Sequence, residues 1–311
     1  MGGELRNRFS WSHSRSETFR DCPRRYFYHY YGSWGGWRAD ADPRARRLYM
    51  LKQLKARQMW AGSLVHDTIA QLLGQWRAGR TASPEPGAWA EQAIVRMRRE
   101  FRQSRDGAYR ERPGKALGLI EHHYREPLPD DEWRALAETV RRSLEGFCEH
   151  PQAGALRELE PGAWLALEEL DTFPVAGVPA YVKLDLGYRS AGGTVRIVDW
   201  KTGRRRPRPD GLQLCCYALY AVARWDIAPE EIEVCEVNLN TAEEAAASVS
   251  ADSLAEARQA IEASIRAMQA RLRDVAQNTA EVDDFPAQVE ARTCRRCPFR
   301  EACPEYQQEC G

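Results

Sequence analysis

The chain has no net charge, because 45 basic residues balance 45 acidic ones over 311 residues. No global field draws it to polyanions, and any surface for nucleic acid must be local. No apolar run approaches the roughly 20 residues of a membrane span, and the first residues carry no signal-peptide pattern. Both absences point to a cytoplasmic chain with no membrane partner. No segment is repeated or of low complexity, and no G-x-x-x-x-G-K-[ST] motif occurs, so any task that needs unwinding requires another protein. The length suits one large domain or two with a full core. Cysteine is not scarce. Nine of them in a reducing compartment point to a metal or cluster rather than to disulfides.

The most informative stretch is 194–201, TVRIVDWK, which reads as a β-strand rich in β-branched residues. Side chains alternate along a strand, so Asp199 and Lys201 share a face with Val195 and Ile197. A carboxylate and an ammonium so placed can hold a divalent cation and an attacking water side by side. Upstream, 181–188 (YVKLDLGY) reads as a second strand, joined to the first by the turn 190–193 (SAGG). The resulting hairpin brings Asp185 and Asp199 to one site. Glu168 and Glu169 end an earlier strand, and one of them is expected to join the metal network.

Cys294, Cys297 and Cys303 form a C-x2-C-x5-C run. Soft metal centres usually take four ligands, and the fourth has three sources: Cys310, a histidine, or Cys22, which shares a Cys-Pro dipeptide with Cys297 and Cys303. Choosing Cys22 closes a loop of about 270 residues, where loop-entropy gains are largest in principle. Zinc and an iron–sulfur cluster both accept four thiolates, so spacing separates them weakly. Cys148, Cys215, Cys216 and Cys235 lie in or beside periodic segments and read as packing residues.

The remaining pattern is mostly helical. Helices are expected up to about residue 79, then a Pro/Gly/Ser-rich break at 81–87, helices at 88–105 and 131–147, and a long helix at 253–272 with Leu254, Ile261, Ile265, Met268 and Leu272 on one side. Between them, 163–240 reads as a mixed α/β core of three strands, a helix and a further strand. Six segments follow: 1–58, holding the first cluster cysteine; 59–80, a helix carrying His66; 81–162, a helical insertion; 163–250, the core; 251–290, helical; and 291–311, the cysteine lobe. Pro129-Asp130-Asp131-Glu132 has no lysine at a useful spacing and reads as a helix N-terminus whose acids suit the dipole. Arg24 and Arg25 lie among five aromatic residues, a mix that suits base stacking or packing around the cluster.

Taken in order, these residues resemble the RecB-like branch of the PD-(D/E)xK nuclease superfamily. The likeness runs through the serine, phenylalanine, Cys-Pro and tyrosine pattern of residues 14–30, Gly62 and His66 (G-x-x-x-H), Asp185, Asp199-Trp200-Lys201, Gln213 and Tyr217 (Q-x-x-x-Y), and the terminal cysteines. It is similar to members that carry a [4Fe–4S] cluster, such as CRISPR-adaptation nucleases and AddB-type subunits. Val182 stands where the family commonly has glycine, and 74–162 matches no part of the family.

The resemblance implies a restriction-endonuclease-like core, a mixed central sheet flanked by helices, with an iron–sulfur lobe joining the two ends of the chain. It implies a metal-dependent DNA nuclease, an exonuclease on single strands or ends, serving repair or antiviral defence beside a separate helicase. Asp185, Asp199, His66 and the Trp200 main-chain carbonyl would ligate Mg2+ or Mn2+, the imidazole favouring Mn2+. Lys201 would orient water or stabilise charge, with Gln213 and Tyr217 positioning the site. Cys22, Cys294, Cys297 and Cys303 would hold the [4Fe–4S] cluster, structural zinc being the alternative. Arg204, Arg205, Arg206 and Arg208 would hold phosphates beside the cut. A catalytically inactive DNA-binding or assembly subunit that kept the fold is the competing expectation.

Overall fold

A computed structural model gives the structure of residues 5–80 and 86–309. The N-terminal helices start where capping residues allow. Ser12 caps α1 (His13–Asp21) by accepting from the Arg15 N–H. Cys22 caps α2 (Pro23–Phe27), with Pro23 at its first position, and a π-turn at Tyr28–Gly32 follows. Asp42 caps α3 (Pro43–Lys52) through the Arg44 and Ala45 N–H groups. A short strand β1 (Leu54–Lys55) leads into α4 (Arg57–Arg77), whose stripe of Trp60, Leu64, Ile69, Leu72 and Trp76 is buried.

The next segment is α5 (Pro86–Arg105), strand β2 (Gly118–Leu119) paired in parallel with β1, α6 (Ile120–His123), α7 (Asp130–Glu149) and α8 (Pro151–Arg157). Asp130, Asp131 and Glu132 form the first turn of α7, as the dipole argument requires. The break expected at 81–87 falls mainly outside the described residues, and α5 opens within it at Pro86.

Seven further strands follow: β3 (Trp164–Leu167), β4 (Leu170–Val175), β5 (Val178–Lys183), β6 (Leu186–Arg189), β7 (Val195–Lys201), β8 (Ile232–Asn238) and β9 (Glu243–Ser248). Helix α9 (Leu212–Trp225) connects β7 to β8. The main sheet has the order β3-β6-β7-β8-β9, with β7 and β8 parallel and the other pairs antiparallel. The chain closes with α10 (Ala251–Gln269), α11 (Ala291–Arg295) and α12 (Pro304–Glu309). This is a mixed α/β fold with a central mixed sheet flanked by helices.

The strand expected at 181–188 is two strands. β5 pairs with β4 in a separate hairpin, the chain breaks at Leu184 and Asp185, and β6 joins the main sheet. Local alternation cannot reveal such a change of partner. β4 and β9 were also unexpected; β9 reads EEAAAS, a poor β-former that relies on β8 for its pairing.

Both faces of the sheet are covered, which fixes the register of β7. Val195 and Ile197 pack with α9 and α10 on one side. Val198 and Trp200 face α4 and α7 on the other, where the Phe147 ring meets Trp200 edge-on at 5.3 Å. Helices α4, α5, α7 and α8 therefore share this core with the sheet.

Candidate active site

β6 begins at Leu186, opposite Val198 in β7, so the ladder ends just short of Asp185 and Asp199. The Trp200 N–H lies beyond that ladder and donates instead to Asp185 Oδ2 at 2.8 Å. Thus the Trp200 peptide sits against one of the two acids. Asp185 Oδ1 is 3.2 Å from His66 Nδ1, on the mid-section of α4, and Glu168 Oε1 is 3.6 Å from the same nitrogen. Ligand atoms of His66, Glu168 and Asp185 all lie within 4.8 Å of one another. One imidazole and two carboxylates so arranged suit Mn2+ or Mg2+.

Glu168 joins this cluster and Glu169 does not. The backbone at Glu168 is left-handed (φ 55°), with its N–H bonded to the Leu184 carbonyl at 2.9 Å. That turn, just past the end of β3, directs Glu168 towards His66 and towards Lys183 Nζ at 2.5 Å. Glu169 instead pairs with Arg77 at the surface.

Asp199 is buried and turned to a second set of partners. Its Oδ2 is 2.5 Å from Lys201 Nζ, and its Oδ1 accepts from Gln213 Nε2 at 3.1 Å. Gln213 also accepts from Lys201 Nζ at 3.2 Å and donates to Tyr217 Oη at 2.8 Å. Tyr217 donates to the Lys183 carbonyl at 3.0 Å. One helical turn of α9 therefore links the carboxylate and ammonium of β7 to the strand that precedes Asp185.

The electrostatics follow from crowding two buried acids. Burial alone would depress the His66 imidazole, but Asp185 and Glu168 outweigh it and push it up to about 10. Burial opposes ionisation of Asp185, yet His66, the Trp200 N–H and Lys201 hold its carboxyl below the usual range. Burial and the neighbouring Asp185 raise Asp199 to about 7, against the pull of Lys201. Burial lowers Lys201, but Asp199 and Asp185 more than compensate and keep it an ammonium. Without a cation the site holds protons that a metal would displace.

Beyond Lys201, the loop carrying Arg204, Arg205, Arg206 and Arg208 is exposed but fastened from beneath. Buried Glu236, in register with Asp199 across β7 and β8, accepts from the Arg208 N–H at 3.2 Å and pairs with Arg205 at 3.4 Å. Asn238 donates to the Gly203 and Arg205 carbonyls, and Asn240 to the Thr202 carbonyl. Arg208 also meets Asp210 at 3.7 Å. Sequence reasoning missed Glu236. Its signal was an acid between Cys235 and Val237, out of step with the alternation that puts Glu233 on the other face of the strand.

Cys22, Cys294, Cys297 and Cys303 line one apolar hollow of about 400 Å3, open mouth included. Cys310, another of the three candidates, lies outside the described residues. Burial pushes the Cys297 thiol up to about 12 and that of Cys303 to about 11, so both would lose protons on binding a metal. Among the described residues no three of these sulfurs approach within 4.8 Å of one another. The two ends of the chain are also clasped by hydrogen bonds. Arg24 reaches the Phe285 carbonyl at 2.8 Å and Glu305 at 3.0 Å, and Tyr28 Oη donates to the Ala302 carbonyl at 2.9 Å. Tyr26 and Tyr28 are buried and pack in the core, whereas Phe27, Tyr30 and Tyr31 stay half-buried. Cys216 and Cys235 are buried in the core, with Cys148 and Cys215 at its margin.

Among the described residues no helix is long and apolar enough to cross a membrane. No curated protein matches the sequence. The family model of the PD-(D/E)XK nuclease superfamily matches residues 10–304, a span that holds the acids, the lysine and all four cysteines of the hollow. The chain belongs to that superfamily, and a nuclease is the activity this membership supports.

Proposed function

We propose that the chain is a metal-dependent deoxyribonuclease that hydrolyses phosphodiester bonds at single strands or DNA ends. The observation that carries this reading is the convergence of Asp185, Asp199 and Lys201 where the β6–β7 ladder stops, with His66 and Glu168 beside them. His66, Glu168 and Asp185 would hold Mg2+ or Mn2+, with Asp199 and the Trp200 carbonyl completing the ligands. The bound cation would supply Lewis acidity and a hydroxide near neutral pH. Lys201, kept protonated, serves charge stabilisation and water positioning rather than acting as a base. Gln213 and Tyr217 hold Asp199 and Lys201 in place, and Arg204 and Arg206, exposed beside them, suit phosphate contact.

The cysteine hollow would hold a [4Fe–4S] cluster. Four cysteines lining one hollow support a four-thiolate centre, for which structural zinc is the alternative. Repair and antiviral defence, beside a separate helicase, are both compatible settings.

The test is cleavage of end-labelled single- and double-stranded DNA with Mn2+ by anaerobically purified protein, compared with Asp199→Ala. Cutting by the wild type alone supports the reading. Equal cutting by both removes the assignment of the site, and no cutting by either favours an inactive subunit.

A further inference from the structure

The helical insertion carries a second feature that the nuclease chemistry leaves unused. An open groove of about 1010 Å3, mouth included, runs over α4, α5 and α7. Trp60 and Met97 form its apolar floor, Phe101 and Trp133 are half-buried in its walls, and exposed Arg98, Arg102 and Arg134 rim it. We propose that this groove binds single-stranded DNA, with Trp133 and Phe101 stacking on unpaired bases and the three arginines holding phosphates. The choice of DNA rests on the deoxyribonuclease reading above.

The rings are pre-set. Phe101 and Trp133 meet edge to face at 4.9 Å, and His122 backs both at 4.8 and 5.3 Å. His122 is tied to Ser104 Oγ at 2.8 Å, and Trp60 Nε1 donates to Glu100 at 2.7 Å. Locked aromatic faces lose little entropy on binding, and stacking tolerates any base.

The charge pattern selects the occupant. Two acids beside the groove residues in sequence are already engaged, Glu100 by Arg96 and Trp60, and Glu132 by Arg57. Arg98 meets Glu91 only at 3.7 Å, Arg102 donates to the Arg98 carbonyl, and Arg134 makes no ion pair among the described residues. A cationic rim around aromatic walls complements a polyanion with exposed π-faces, which paired strands cannot present. The Arg57 guanidinium, paired with Glu132, lies 5.9 Å over the Trp133 ring and helps hold it in place. Trp60 and His66 lie six residues apart on α4, about 9 Å along its axis.

The test measures binding of a fluorescent oligothymidylate to the full chain by anisotropy in EDTA, where cleavage does not intervene. Trp133→Ala should weaken binding at least about fivefold, the lower end for one lost stack. Abasic positions in the oligonucleotide should cost the wild type as much and cost Trp133→Ala nothing more. Arg102→Glu combined with Arg134→Glu, both at exposed positions, should weaken binding and flatten its salt dependence; Trp133→Phe, which keeps a ring, should retain most of the binding that Trp133→Ala loses. Wild-type binding with all variants alike, additive abasic and Trp133→Ala effects, or no wild-type binding would each overturn the groove. Cleavage by Asp199→Ala is scored separately. Binding through the groove without cutting would overturn the nuclease reading alone.

Discussion

Gln213 is the point where the site is most open to a quantitative test. Its side chain makes three hydrogen bonds, two of them to charged groups: from Nε2 to Asp199 at 3.1 Å and from Lys201 to Oε1 at 3.2 Å. Gln213→Leu keeps the volume and removes all three. Bonds to charged groups contribute about 1.5–3 kcal/mol each, but Gln213 is half-buried and water can replace part of them. A combined loss of about 2–3 kcal/mol is the reasonable figure, and at 1.36 kcal/mol per decade it slows turnover about 30- to 150-fold. KM for DNA should stay within a few-fold, because Gln213 orients catalytic groups and holds no phosphate. Tyr217→Phe deletes only neutral bonds, worth about 1 kcal/mol, and should slow cutting about fivefold. The assay is single-turnover cleavage of end-labelled DNA with Mn2+, with thermal melting as the check on folding. A Gln213→Leu enzyme within threefold of wild type, while Asp199→Ala is dead, would refute the idea that α9 aligns the pair.

Glu168→Gln should lower both Mn2+ affinity and activity at least about tenfold, whereas Glu169→Gln, which disturbs only a surface pair with Arg77, should leave both within twofold; calorimetric Mn2+ titration separates them, and the reverse order would displace Glu168 from the site. Cys22→Ser should remove iron and the visible thiolate-to-iron absorbance together with several degrees of melting temperature; a colourless, zinc-containing wild type defeats the cluster assignment. In EDTA the melting temperature should decline with rising pH at two groups. His66, raised above its ordinary 6.5, contributes fully below about pH 6.5 and loses that contribution as pH rises to about 10. Asp199, raised above 3.8, loses its contribution between about pH 4 and 7. Added Mn2+ should restore stability by an increment that grows with pH, since its ligands bind deprotonated; an increment flat from about pH 6 to 9 would count against these residues as ligands.

Several parts of this arrangement are visible in the sequence for physical reasons. Alternation along residues 194–201 places Asp199 and Lys201 on one face, and they lie 2.5 Å apart. Spacing of four on α9 brings Gln213 and Tyr217 together. The acids of Pro129–Glu132 begin a helix because the first turn favours negative charge. Other parts depend on information no local pattern contains. The exchange of partners between β5 and β6 is decided by which strand lies alongside. The selection of Glu168 over Glu169 depends on one left-handed residue, and Glu236 gains meaning only because β8 is parallel to β7. Trp133 and Phe101 sit 32 residues apart in segments without a recognisable motif, and only the packing of α5 on α7 unites them.

The clasp between the two ends of the chain has a consequence for biogenesis. Cys22 and Arg24 acquire their partners only when Phe285, Cys294, Cys303 and Glu305 have been translated. At about 5–20 residues per second the ribosome needs roughly 15–50 s to cover that interval. During it the first helices wait with an unfilled thiol and a guanidinium that lacks its carbonyl. If the hollow holds the proposed cluster, its assembly would have to follow synthesis of Cys303, and overproduction that outruns iron supply should accumulate protein whose two cysteine segments have not met.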